Sequence, residues 1–175
     1  SAWCCRRPPL ADLLARYARL SADEQRILRV LSAICCPVGR SALQQILEVL
    51  GWRDQGGAPL SRLLSTTLHH RLIADGLIEG QENGLSCHPD LCEMATRETV
   101  ADGTFATIIA AGERCFPMPT PKPGYWPGEA RRLRMLRNAL YAGHEDAVLE
   151  VLGIGADTPL ARVPYGQALP LLQVF

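Results

Sequence analysis

Residues 59–89 read PLSRLLSTTLHHRLIADGLIEGQENGLSCHP, and the fold turns on how this stretch divides. Leu60, Leu63, Leu64, Leu68 and Leu72 recur at three- and four-residue steps, which predicts a helix with one apolar face that other helices must cover. Pro59 suits a first helical turn, where its missing N–H would be unpaired anyway, and Gly76 suits the left-handed position past the end. Leu77-Ile78 and residues 85–88 then flank a turn signal, Asn83-Gly84. Two short β-capable runs around such a turn predict a hairpin.

Working outward toward the N-terminus, Leu10, Leu13, Leu14, Tyr17 and Leu20 predict a leading helix after Pro8-Pro9. Ser21 and Glu24 form a capping-box pattern, opening a helix with Ile27, Leu28, Leu31 and Ile34 that stops before Pro37. Residues 37–39 read as a short extended link. Ser41 with Gln44 reads as a second capping box, for a helix with Leu43, Ile46, Leu47 and Leu50, and residues 51–58 as a loop.

Three helices, an extended link after the first and a terminal hairpin give a mainly α fold: a winged helix-turn-helix with a small β-hairpin wing over residues 10–115. Within it, residues 90–103 and 104–114 predict two further helices. Residues 116–128, FPMPTPKPGYWPG, are too rich in proline for a helix and read as a linker. Residues 129–175 read as the start of a helical-repeat segment, two helices joined at Gly143 and a further one after Pro164.

The 18 basic and 18 acidic residues leave no net charge, so no global field draws the chain to nucleic acid or anionic lipid. Every basic residue but Lys122 is arginine, which reads as coding bias before recognition. No apolar run is long enough to span a membrane, and residues 1–10 lack a secretory apolar core. Seven cysteines, an odd count with two adjacent pairs, suit a reducing cytoplasm. The apolar end at residues 171–175 suggests a piece cut from a longer polypeptide.

Four chemistries compete for these residues. Arg62, His69, His70 and Arg71 are the contacts a major-groove helix would use. Against that role, residues 37–103 hold five basic and nine acidic side chains, a balance of minus four, where each phosphate contact needs a cation. Arg131, Arg132, Arg134 and Arg137 form the one dense positive stripe, opposite an apolar face of 130, 133, 136 and 140. Cys87, His88 and Cys92, with His69 and His70 nearby, lack the paired knuckles of structural zinc, and the cysteines read as buried core thiols, so no metal ligand is assigned. The sequence contains no GxxxxGKS or GxxxxGKT phosphate loop, GxSxG elbow, HExxH or GxGxxG, so no catalytic residue and no cofactor is expected in this piece.

Residues 88–100, HPDLCEMATRETV, follow the wing and precede the Pro/Trp linker and LRNALYAGHEDAVLEVL at 136–152. This arrangement resembles the N-terminal accessory region of large bacterial Swi/Snf-like DEAD/DEAH-box helicases over most of residues 20–152. The resemblance implies a non-catalytic, cytoplasmic interaction module of a nucleic-acid-dependent ATPase, positioning a protein partner, the rest of the parent chain, or DNA or RNA, with no membrane and no small-molecule substrate. None of that family's ATP-binding or helicase residues has a counterpart here. A winged-helix transcriptional regulator, a signal-transduction ATPase whose winged helix precedes helical repeats, and a small metal-dependent enzyme are the rival expectations.

Overall fold

Helix α2 (Ala22–Ile34) is the axis on which the first part of the chain packs. Its start is fixed by the expected capping box: Ser21 Oγ accepts the Glu24 N–H at 3.3 Å, and Glu24 Oε2 accepts the Ser21 N–H at 2.9 Å. Ile27, Leu28 and every residue from Val30 to Ile34 are buried, a wider apolar surface than one amphipathic stripe. Such a helix needs neighbours on several sides. It has them in β2 (Gly84–Cys87), α5 (Pro89–Ala101) and α6 (Phe105–Cys115).

The computed structural model describes residues 8–65, 68–81, 84–115 and 129–152, the side chains of Ser65, Gln81, 129–132 and 150–152 excepted. The chain divides into two compact units, Ser1–Met118 and Pro119–Phe175. The described residues are mainly helical, with one small antiparallel sheet. The linker expected at 116–128 and the helix expected after Pro164 lie outside them.

In the first unit, α1 (Leu10–Ala18) buries only Leu13 and Tyr17, while Leu10 and Leu14 stay exposed, so its apolar stripe is narrower than the spacing predicts. The Tyr17 hydroxyl donates to Glu98 Oε2 of α5 at 2.5 Å, and Arg29 Nε of α2 donates to the same oxygen at 2.8 Å and to the Tyr17 hydroxyl at 3.1 Å. Arg29 also pairs with Asp102 at 3.4 Å, so three helices meet at one guanidinium. Burial, with the Glu98 hydrogen bond adding to it, pushes the Tyr17 phenol up to about 12.

Helix α3 (Arg40–Leu50) buries Leu43, Ile46 and Leu47 as its spacing predicts. Its N-cap is Gly39, with no side-chain cap, so the expected Ser41–Gln44 capping box does not form. Ser41 lies inside the first turn, and Gln44 donates instead to Glu48 at 3.0 Å. The loop after α3 is tied down: Asp54 Oδ1 accepts the Ala58 N–H at 2.8 Å, and the Arg26 guanidinium donates to the Arg53 carbonyl while lying 4.7 Å from the Trp52 ring centroid.

The single helix expected from Pro59 to Gly76 is not what forms. A 3-10 turn, Leu60–Ser65, precedes a separate short α4 (Leu68–Ala74), and Thr66 and Thr67 lie outside the described residues. Ser65, which closes the 3-10 turn, is a weak helix former whose hydroxyl competes for backbone hydrogen bonds. The apolar face is kept across both elements, with Leu60, Leu64, Leu68 and Leu72 all buried.

Gly76 ends α4 as expected, at φ 70, with the Leu77 N–H on the Leu72 carbonyl and the Gly76 N–H on the Ile73 carbonyl, the paired bonds of a Schellman stop. The hairpin then forms, β1 (Ile78–Gln81) against β2, with Ile78 opposite Cys87 and Gln81 opposite Gly84. On the other edge of β2, Val38 exchanges both backbone hydrogen bonds with Leu85, at 2.9 and 2.8 Å. The extended link after α2 is thereby the third position across the sheet, in the order Val38, β2, β1. Gly84, at φ 134, faces Val38 so closely that a Cβ there would lie 2.4 Å from the Val38 carbonyl carbon and oxygen.

The chain leaves the sheet through His88, whose Nδ1 accepts the Asp90 N–H at 3.2 Å and so caps α5, with Pro89 at the first helical position. In the second unit, α7 (Glu129–Tyr141) and α8 (Glu145–Leu152) pack on each other across Gly143, the two-helix arrangement that the spacing predicts. No helix among the described residues is long and apolar enough to cross a membrane.

Candidate functional site

The expected recognition residues sit on the 3-10 turn and α4. Arg62, His70 and Arg71 are exposed there, and His69 is half-buried with its ring 3.9 Å, centroid to centroid, from that of His70. Arg71 is already engaged. Its guanidinium forms an ion pair with Glu24 Oε1, while the other Glu24 oxygen caps α2. One carboxylate thus serves both the helix start and the cation that a phosphate would need.

Acidic and apolar groups follow these cations along the chain. Glu79 lies on β1, and Ile73, 38% exposed, packs its Cδ1 against the backbone at Gly80. Asp75 follows α4, its carbonyl accepting Arg16 at 2.7 Å. The 3-10 turn and α4 thus carry a mixed set of side chains: two imidazoles, one isoleucine, Arg62, and a guanidinium matched by a carboxylate.

The stripe expected on α7 is not presented as a solvated face. Arg137 is 6% exposed, its guanidinium 5.2 Å from the Tyr141 ring centroid one turn along, and Arg134 is half-buried. A long arginine laid over an aromatic ring at i+4 buries its stem and satisfies part of its charge without solvent. The side chains of Arg131 and Arg132 lie outside the described residues.

Cys87 and Cys92 are buried, as the reading of core thiols predicts, and His88 is buried as well. His88 is a helix cap, and Cys92 Sγ donates to the Ser32 carbonyl at 3.4 Å. Among the described residues no three histidine, cysteine or acidic side chains converge in a way that could hold a metal ion. An open groove lined by Gln45, Glu48, Val49, Arg114 and Cys115 lies between α3 and α6.

The sequence reading missed the Tyr17–Arg29–Glu98 cluster, the Trp52–Arg26 stack and the approach of Cys35 to Cys92. Each joins residues far apart along the chain, so no local spacing announces it. His88 as a cap had a faint signal in the Pro89-Asp90 that follows it. Compared with protein-family models, curated proteins and solved structures, the chain matches none.

Proposed function

We propose that the first unit is a winged helix whose α4-and-wing face docks a protein surface, as a non-catalytic interaction module of a larger helicase-type ATPase. The observation that supports this fold reading is the Val38–Leu85 pairing, which sets the link after α2 beside the hairpin, where a winged helix would have its first strand. Helix, link, helix, short helix and hairpin then follow in winged-helix order. The setting in a helicase-type ATPase rests on the sequence resemblance over most of residues 20–152.

Docking of protein, in preference to duplex DNA, follows from charge. Arg71 is matched by Glu24, and residues 37–103 carry a balance of minus four, so counterion release on DNA would be small. The test is fluorescence anisotropy of a labelled duplex titrated with this chain at low salt. Affinity weaker than about 100 µM, with a salt slope of no more than one or two phosphates, is the expected result. Sequence-dependent binding on the order of nanomolar would overturn the proposal in favour of a transcriptional regulator.

A further inference from the structure

Cys35 lies at the C-cap of α2 in the left-handed conformation, φ 51 and ψ 38, the one non-glycine residue with positive φ among those described. Glycine or asparagine would occupy this position with less strain. The consequence of the strained turn is that Cys35 Sγ, on an exposed residue, stands 3.6 Å from Cys92 Sγ in the first turn of α5. A backbone outlier retained where it juxtaposes two reactive groups motivates a functional reading.

We propose that Cys35 and Cys92 form a redox-modification site, closed by a hydroperoxide into a disulfide between the end of α2 and the start of α5. The exposed Cys35, as thiolate, attacks the peroxide O–O bond, giving a sulfenic acid and releasing the second oxygen as water or an alcohol. Cys92 then attacks the Cys35 sulfur, the S–O bond breaks, and the departing hydroxyl takes a proton to leave as water. For hydrogen peroxide the balance is two thiols plus one peroxide to one disulfide plus two waters. The sulfurs must approach by about 1.5 Å to reach bonding distance, which rotation about the Cα–Cβ bonds with a small backbone adjustment can supply.

The bond would close a loop containing the Val38 link, α3, α4 and the hairpin, since its ends are 57 positions apart. Oxidation would therefore clamp every strand and helix of the candidate docking face between two fixed points. Neither residue belongs to that face, so the site stands whether or not the docking reading does.

The test treats the reduced full chain with graded hydrogen peroxide, blocks remaining thiols, and maps tryptic peptides by mass spectrometry without reduction. Peptides 30–40 and 72–97 are expected to appear joined and two hydrogens lighter than their sum, with fragmentation assigning the bond to Cys35 and Cys92. Dithiothreitol should separate them, and C35S, at an exposed position, should abolish the link while keeping the native fold. C92S supplies the second arm. Oxidation of Cys35 to sulfinic acid with Cys92 still alkylatable, a Cys35–Cys36 bond, or a link that persists in C35S would overturn the proposal.

Discussion

Replacing Gly84 by alanine should be among the most damaging single-methyl additions this protein can suffer. The new Cβ would sit 2.4 Å from the Val38 carbonyl carbon and oxygen and 2.7 Å from the Gly39 nitrogen, all backbone atoms that cannot swing aside. The φ of 134 adds a strain of about 1–3 kcal/mol for any L side chain. Pushing the strands apart loses the two Val38–Leu85 hydrogen bonds, about 1 kcal/mol each. It also partly wets Val38, which is fully buried, at a further cost of about 1 kcal/mol. The sum is about 4–6 kcal/mol, a large share of the stability of an ordinary domain. Gly51→Ala is the matched control, since Gly51 also has positive φ (64) but nothing within 4 Å of its would-be Cβ; it should cost only about 1 kcal/mol. Urea denaturation followed by circular dichroism measures both. If Gly84→Ala proves no more costly than Gly51→Ala, residue 84 is not pressed against Val38 and the reasoning fails.

Other consequences are open to simple measurement. Tyr17 is held neutral in the fold, its value raised from 10.0 to about 12, so the stability it contributes is complete below pH 10 and lost as pH rises through about 12. A tyrosinate absorbance titration should show one late-ionising phenol that Tyr17→Phe removes, and a Tyr17→Phe profile identical in that range to the parent's would refute it. Ser21→Ala should cost about 1 kcal/mol through the lost cap on α2. Glu24→Gln, which can still cap but cannot pair with Arg71, should cost well under 1 kcal/mol in chemical denaturation; a reversed order would mean that the ion pair outweighs the cap. Leu72→Ala, at a residue 1% exposed between α4 and the core, should cost about 2–5 kcal/mol, and a near-neutral melt would mean that α4 is not docked.

Local chemistry made much of the architecture legible from sequence. The Ser21–Glu24 box, the Gly76 stop, the Asn83-Gly84 turn signal and the leucine spacings are each written within a few residues, and α2, α3, α5, α6, α7, α8 and the hairpin follow from them. Two local inferences failed because tertiary structure outweighed pattern. Ser41–Gln44 has the spacing of a capping box, but the helix begins at Arg40, two residues earlier than that box requires, because Gly39 follows directly on the paired Val38. The leucine stripe of residues 60–72 is shared between a 3-10 turn and a short α-helix, since burial needs only the face and not a single helix type. The functional surface was less legible. That Arg71 is neutralised by Glu24, and Arg137 covered beside Tyr141, depends on side-chain placement that composition does not encode.

On the proposed reading, the link after α2 and the second hairpin strand form one sheet, with the hairpin as a wing and α4 beside it on the docking face. Nuclear magnetic resonance of isotope-labelled chain tests it through scalar coupling across hydrogen bonds. The account predicts a coupling from the Val38 amide nitrogen to the Leu85 carbonyl carbon, its reciprocal from Leu85 to Val38, and slow hydrogen exchange at both amides. Absence of both couplings, with the two amides exchanging as fast as an open loop, would contradict it.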